Sequence, residues 1–195
     1  ALNAKTFELL KLNESLENQV KSRTVELEEA YKNMKEIAIT DSLTKIYNRY
    51  YFHDALKNEI FRAQRYNSTF SLCMFDFDHF KNINDTYGHD VGDIVLETLP
   101  KIIKPLLRES DIFARIGGEE FIILFPKTTQ DEATDIARRI QSAVFHHNFL
   151  VVKQLTISLG VVAYKQDSTI EDMLKRVDIA LYAAKDAGRN CVMSL

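Results

Sequence analysis

The apolar positions of this chain change period once, near residue 40. Before that point they fit a heptad: with Val20, Leu27 and Met34 at a, the residues Leu9, Leu16, Ala30 and Ile37 fall at d. No glycine or proline interrupts this stretch, so residues 1–39 are expected to form one long helix with a coiled-coil seam for signalling or dimerisation. Asn13 at a and Arg23 at d would lower stability while restricting register and strand number. A single amphipathic helix packed on its own domain is the other reading of the same pattern.

After Thr40-Asp41 the pattern alternates between helical and strand periods, and residues 40–195 are read as one domain. Helices are expected over residues 48–66, with Phe52, Leu56, Ile60 and Phe61 on one face, and over 91–107, tolerating or kinking at Pro100. Two more are expected over 129–149 and over 170–187, the last closed by Gly188. Strands are expected over 70–77, over 154–164 with Gly160 inside, and over 190–193. Residues 111–116 and 121–125 read as a hairpin turning on Gly117-Gly118. Asp41-Ser42-Leu43-Thr44 supplies turn and cap chemistry where the two parts join. The expected fold class is α+β: an antiparallel-rich central sheet flanked by helices, of the split βαβ kind, preceded by a long N-terminal helix.

With 195 residues and 46% hydrophobic content, the chain can bury one ordinary core. Its net charge is −3 and its basic residues are dispersed, so duplex nucleic acid is not an expected partner. Cys73 and Cys191 have neither the count nor the spacing of a disulfide framework or a zinc site, which fits a reducing, cytoplasmic setting. No run of eighteen apolar residues occurs, so this segment is expected to make no membrane contact. Residue 1 is alanine, which points to a piece of a longer protein whose missing N-terminal part could hold membrane spans or a sensor.

Two acidic clusters carry the chemistry: Asp76-Phe77-Asp78 after an apolar strand, and Gly117-Gly118-Glu119-Glu120 between two apolar strands, with a polar run from Lys81 to Asp93 between them. Carboxylates offer hard oxygen ligands to a divalent cation, and glycines leave backbone open where phosphate or ribose approaches. Strand alternation puts Asp76 and Asp78 on one side and Phe77 in the core on the other. For Asp78, capping a short helical run over 79–84 outweighs metal ligation. A calcium loop is excluded, because Phe80 and Lys81 stand where it needs a carboxylate and a glycine. At the mouth of the second strand, Glu119 and Glu120 would point to opposite sides, leaving one free for a metal. The bland alternative is a surface pair of Glu120 with Arg115, worth at most about 1 kcal/mol.

The run Asp76-Phe77-Asp78-His79-Phe80-Lys81-Asn82-Ile83-Asn84-Asp85-Thr86-Tyr87-Gly88-His89-Asp90-Val91-Gly92-Asp93, followed by Gly117-Gly118-Glu119-Glu120-Phe121, resembles the GGDEF family of diguanylate cyclases in its Gly-Gly-Glu-Glu-Phe variant. The likeness runs from Asp41-Ser42-Leu43-Thr44 and Asn48-Arg49 through Tyr182-Ala183-Ala184-Lys185 and Gly188-Arg189-Asn190. It implies a ferredoxin-like, nucleotidyl-cyclase palm fold and the condensation of two GTP into cyclic di-GMP with release of pyrophosphate. The reaction would need Mg²⁺, with Mn²⁺ able to substitute, and a homodimer joined through the coiled coil, each domain holding one GTP. By the same resemblance Asp76, the Phe77 carbonyl and Glu119 would ligate the metal. Asn84 and Asp93 would hydrogen-bond guanine, His89 would line the same part of the substrate site, and Lys185 and Arg189 would meet the triphosphate. Glu119 or Glu120 would help deprotonate the ribose 3′-hydroxyl, and the resemblance leaves open which.

The chemistry of these residue types agrees. A carboxylate at Asp93 accepts from the ring N–H and exocyclic amine of guanine, which adenine does not present on that edge. Without the resemblance, Lys185 and Arg189 would be read as cations complementing a helix C-terminus. Arg108-Glu109-Ser110-Asp111 matches the family's RxxD product-inhibition motif, with Arg139 joining from the next helix, and a plain charged connection is its alternative. Lys45-Ile46 replaces the usual Gly-Leu, Tyr50 a common second arginine, and Ile116 a tyrosine. Three rivals remain: a catalytically silent module binding cyclic di-GMP or GTP as an effector, a nucleotidyl transferase for another base, and a purely structural dimerisation module.

Overall fold

The structure, a computed structural model, describes residues 2–152 and 154–195. It divides into a helical segment ending at Ile39 and a compact unit, Thr40–Leu195. The first is one uninterrupted helix, α1 (Leu2–Ile39). Of its heptad residues, Leu16, Val20, Leu27, Ala30, Met34 and Ile37 are exposed, while the Leu9 side chain lies outside the described residues. The two polar seam residues pair along the helix itself: Asn13 donates to Glu17 at 2.9 Å and Arg23 to Glu26 at 2.7 Å.

The compact unit is built on a six-stranded sheet of β1 (Tyr47–Asn48), β2 (Phe70–Phe77), β3 (Ile112–Gly117), β4 (Glu120–Pro126), β5 (Ile157–Ala163) and β6 (Val192–Ser194). Across the sheet the order is β1-β3-β4-β2-β5-β6. The four inner strands pair antiparallel, and the short edge strands add parallel to β3 and β5. Both faces are covered. Against one lie α2 (Arg49–Tyr66) and α6 (Ile170–Asp186); against the other lie α3 (Phe80–Tyr87), α4 (His89–Ile103) and α5 (Gln130–His146). This double cover explains why β2 is buried along its whole length and apolar at every position except Ser71 and Asp76. Phe70, Leu72 and Met74 pack towards α2 and α6, and Cys73, Phe75 and Phe77 towards the opposite helices.

Local signals set most element ends. The Asn48 side chain accepts from the Tyr51 N–H to start α2, and Thr129 with Glu132 and Thr169 with Asp172 form reciprocal capping boxes on α5 and α6. Gly160 is required by close approach: a Cβ there would stand 2.3 Å from the Leu181 backbone nitrogen, so α6 rests directly on the β5 main chain.

Several expected boundaries shift. Phe61 is 58% exposed, because the face turned to the sheet is Phe52, Leu56, Ile60 and Ala63, with Glu59 beside them. The fourth helix begins at His89 and runs three residues past Pro100, then tightens into a single 3₁₀ turn, Lys104–Leu106. Pro105 has no N–H to continue the α ladder. The fifth helix stops at His146, leaving Phe149 buried in the following loop. The strand after it starts at Ile157, the sixth helix ends at Asp186, and the last strand is Val192–Ser194. Among the strands of the described residues, β1 has no counterpart in the sequence pattern, being two residues long.

Candidate active site

Asp76 and Phe77 close β2, and the chain then turns sharply through His79, which adopts a left-handed conformation (φ 59°) before α3. The Phe77 ring is buried against Phe80, Phe121 and Phe149, which fixes the strand end whose carbonyl is the candidate ligand. Asp76 points to the other face, is 7% exposed, and accepts from Lys185 Nζ on α6 at 2.5 Å. Its second oxygen, Oδ1, is buried with no hydrogen-bond partner among the described residues. Burial pushes the Asp76 carboxyl up to about 6; Lys185 opposes that shift, and the charges of Glu119 and Glu120 add to it. Carboxylates from two separate segments therefore share one field.

The hairpin turns one residue later than expected. Gly117 pairs with Glu120, so Gly118 (φ 30°) and Glu119 form the turn, and the register shifts between Arg115 and Gly117. Glu119 thus sits on the turn, half-buried, while Glu120 opens β4 directly across from Asp76. Arg115 pairs with neither glutamate. It donates to Asp41 Oδ1 at 3.1 Å and, through Nε, to the Gly118 carbonyl at 2.8 Å. Asp41 also caps its own turn, accepting from the Thr44 N–H and hydroxyl. One guanidinium therefore ties residues 41–44 to the acidic turn.

Asp78 does not cap α3, whose N-cap residue is His79 with no side-chain bond. Its carboxylate instead accepts from Thr156 Oγ1 and Ser158 Oγ, each at 2.7 Å, and from the Asn190 N–H at 3.1 Å. That bond anchors the segment Gly188-Arg189-Asn190, in which all three residues have positive φ (108°, 66° and 47°). Arg189 is held exposed there, close after Lys185, with its own N–H donating to the Ala184 carbonyl.

The candidate guanine contacts lie where α3 meets α4. Gly88 (φ 85°) joins the two helices, its N–H donating to the Asn84 carbonyl at 2.9 Å. His89 and Asp93 follow one helical turn apart on α4, both exposed. The Asn84 side chain lies against Gly92: a Cβ at residue 92 would come within 2.1 Å of Asn84 Oδ1. Asn84 thereby lies against the residue that precedes Asp93 on α4.

The donor set fits a small hard cation. Among the described residues no three His, Cys, Asp or Glu side chains form a metal cage. Mg²⁺ does not require one, since it is commonly held by one or two carboxylates, with substrate phosphates and water completing the octahedron. The unpartnered Asp76 Oδ1, the carbonyl at the end of β2 and the half-buried Glu119 match that chemistry.

Arg108 and Asp111 lie elsewhere and close a turn of their own. The Arg108 N–H donates to Asp111 Oδ2 at 2.8 Å, the Asp111 N–H donates to the Arg108 carbonyl at 3.0 Å, and Asp111 Oδ1 is buried without a partner among the described residues. Burial raises the Asp111 carboxyl, against the lowering by the Arg108 N–H and charge. Both residues line a cavity of about 350 Å³ with Lys45, Lys104 and Tyr47. Arg139 is exposed on α5, two turns beyond Glu132, whose carboxyl is held low by Thr129 and to a lesser degree by Arg108.

The sequence profile described as "Diguanylate cyclase, GGDEF domain" matches residues 38–191. This chain belongs to the GGDEF family. It is 40% identical over 164 residues to Diguanylate cyclase A of Treponema denticola, covering 80% of this chain and 44% of that protein. It is 37% identical over 161 residues to Diguanylate cyclase DgcS of Shewanella oneidensis, covering 83% and 54%. The chain therefore spans about half the length of these curated relatives. Among solved structures, the coiled coil and GGDEF domain of DgcB from Caulobacter crescentus, in complex with c-di-GMP, superposes with a TM-score of 0.84 at 30% identity, covering 93% of this chain and all of that one. The active GGEEF domain of a diguanylate cyclase from Vibrio cholerae gives 0.72 at 34% identity, covering 75% and 96%.

Three residues of this GGDEF domain gain roles that sequence reasoning did not give them. Gly92 makes room for Asn84, Arg115 braces the acidic turn, and Asp78 anchors the segment carrying Arg189. Asp78 and Gly92 lie inside the quoted family motif and Arg115 outside it, and the partners of Asp78 and the Asp41 partner of Arg115 are too distant in sequence to be read from spacing.

Proposed function

We propose that this chain is a diguanylate cyclase domain, condensing two GTP into cyclic di-GMP with release of pyrophosphate. The observation that carries the reading is the meeting of Asp76, at the end of β2, with Glu120 directly across the β2–β4 pair and Glu119 on the adjoining turn, beside Lys185. In each half-reaction a ribose 3′-oxygen attacks the α-phosphorus of the other GTP, a P–O bond forms, the bond to pyrophosphate breaks, and the hydroxyl proton leaves to a base. Mg²⁺ or Mn²⁺ bound by Asp76, the Phe77 carbonyl and Glu119 would supply charge neutralisation at the phosphates and acidify the hydroxyl. The chain's own residues do the rest. Asn84 and Asp93 read the guanine edge with His89 beside them, Lys185 and Arg189 hold phosphate oxygens, and Glu119 or Glu120 takes the proton.

One domain presents one such site, so ring closure needs two copies facing each other. The heptad of residues 1–39, with its exposed seam, supports a parallel role as a dimerising tether that raises the partner's effective concentration. The Arg108–Asp111 turn and its cavity support a product-inhibition site in which arginine grips guanine or phosphate, with Arg139 proposed as a further contact from α5. A GTP substrate and the free thiols Cys73 and Cys191 fit work in the cytoplasm. Among the described residues no helix is long and apolar enough to cross a membrane.

Incubation with GTP and Mg²⁺, with product read by mass spectrometry and Glu119→Gln as control, tests the reading. Cyclic di-GMP made by the parent and lost in the variant is expected; a dimeric preparation that makes none refutes catalysis in favour of an effector. Arg108→Ala should retain turnover and lose sensitivity to added product, and unchanged inhibition would reject that site. Specific activity plotted against enzyme concentration, with and without residues 1–39, tests the tether; coincident curves would rule it out.

A further inference from the structure

The Lys185–Asp76 bond poses a problem for metal entry. Lys185 stands on Asp76, whose Oδ1 is buried without a hydrogen-bond partner among the described residues, and the Asp76–Lys185 pair is mostly withdrawn from water, with side chains 9% and 31% exposed. A dication held by Asp76 would share that carboxylate with the ammonium, two positive centres on one group in a medium that screens poorly. Glu119 and Glu120 soften that conflict without removing it. A triphosphate removes it, because its oxygens can take the ammonium and the metal at once.

We propose that Lys185 holds the cation's place on Asp76 in the nucleotide-free domain and changes partner to the triphosphate on loading, so that the site accepts a metal–nucleotide complex and resists free divalent cation. The proposal rests on the metal and triphosphate roles given above and adds an order of events. It makes Lys185 both a phosphate ligand and a positioning residue that keeps Asp76 aimed and desolvated until substrate arrives. The stem of Lys185 emerges from the last turn of α6, so exchange requires side-chain rotation and no movement of the helix.

The test is binding of Mn²⁺ alone, followed by electron paramagnetic resonance, in the parent, Lys185→Met and Lys185→Gln. Free-Mn²⁺ affinity should rise about ten-fold or more in both variants, equivalent to about 1.4 kcal/mol. Arg189→Gln removes a nearby positive charge without touching Asp76 and should change that affinity less than three-fold. A second arm repeats the titration with a GTP analogue carrying a methylene between the α- and β-phosphates. The parent should gain Mn²⁺ affinity strongly on adding the analogue, and the Lys185 variants should gain much less, since the coupling between the two ligands runs through the exchanged partner. Equal free-Mn²⁺ affinity in parent and variants, or an equal rise in Arg189→Gln, would overturn the exchange while leaving the metal site standing. No Mn²⁺ binding in the parent even with the analogue would overturn both.

Discussion

Replacing Gly92 by alanine separates substrate recognition from folding. The added Cβ would stand 2.1 Å from Asn84 Oδ1, 3.2 Å from Asn84 Cγ and 3.3 Å from Phe80 Cζ. Carbon and oxygen do not approach that closely, so the Asn84 carboxamide must retreat by about 1 Å, which its short side chain achieves by rotation. Stability changes little: alanine gains about 1 kcal/mol over glycine inside a helix, and crowding of Phe80 offsets part of that. Recognition loses more. A misplaced carboxamide forfeits one neutral hydrogen bond to guanine, about 0.5–1.5 kcal/mol net, which converts to a rise of about 2- to 13-fold in KM for GTP. Because the base does not react, kcat should stay near the parent value, the signature of lost uniform binding. Steady-state kinetics on Gly92→Ala, Asn84→Ala and the double variant decide the matter. If Gly92 acts through Asn84, the double variant is no worse than the worse single one. Additive penalties, or a parent-like KM in Gly92→Ala beside an impaired Asn84→Ala, would refute the reasoning.

Three further outcomes follow from other contacts. Gly160→Ala drives a Cβ to 2.3, 2.6 and 2.8 Å from backbone atoms of Leu181, Val177 and Ala180, so α6 must lift off β5; urea unfolding should show a loss of about 3 kcal/mol, and a parent-like midpoint would contradict it. Arg115→Ala breaks the bonds to Asp41 and Gly118 and should cost about 1–2 kcal/mol of stability and lower kcat, with Arg115→Lys recovering charge but not both bonds; full activity in the alanine variant would show that the brace is idle. For Asp76, a folded value of about 6 against an ordinary 3.8 means that the native state binds the extra proton, so ionisation costs stability between these values. In EDTA, the stability advantage of Asp76→Asn over the parent should grow as pH rises from about 4 to about 6 and then level, while Mn²⁺ binding by the parent, which needs the ionised form, should weaken as pH falls through about 6. Melts and Mn²⁺ titrations across that range check both signs; a pH-independent difference between the two proteins would disprove the shift.

What could be read from the sequence was set by how local the governing interaction is. Residues 70–77 announce β2 because eight consecutive positions are buried by helices on both sides, and no distant partner is needed to see an apolar run. The capping boxes at Thr129 and Thr169 span four residues each and mark two helix starts. Phe61 misleads, because a helix with Ile60 and Phe61 adjacent offers two candidate faces, and tertiary packing selects the one continued by Ala63. The hairpin turn is displaced because Gly117-Gly118 supplies two flexible residues, and the shift near Ile116, set by pairing with β4, decides which of them turns.

The same logic explains why the acidic residues of the site were legible and their supports were not. Asp76, Glu119 and Glu120 declare themselves by type and spacing, whereas Asp78 finds its partners 78, 80 and 112 residues away, and Arg115 reaches back 74. A short-range reading therefore gives Asp78 to a helix cap and offers Arg115 only the alternative of a surface pair with Glu120. In the folded domain each closes a long loop at the margin of the sheet: Asp78 locks the end of β2 to β5 and to the segment bearing Arg189, and Arg115 locks the acidic turn to Asp41. The two-residue turn gains from such a brace, since Gly118 supplies no side chain to hold the backbone and Glu119 is only half-buried. Aim at this candidate site is thus supplied by hydrogen bonds from residues outside its acidic set, and the long sequence separation of those bonds is what ties the site's geometry to completion of the whole sheet.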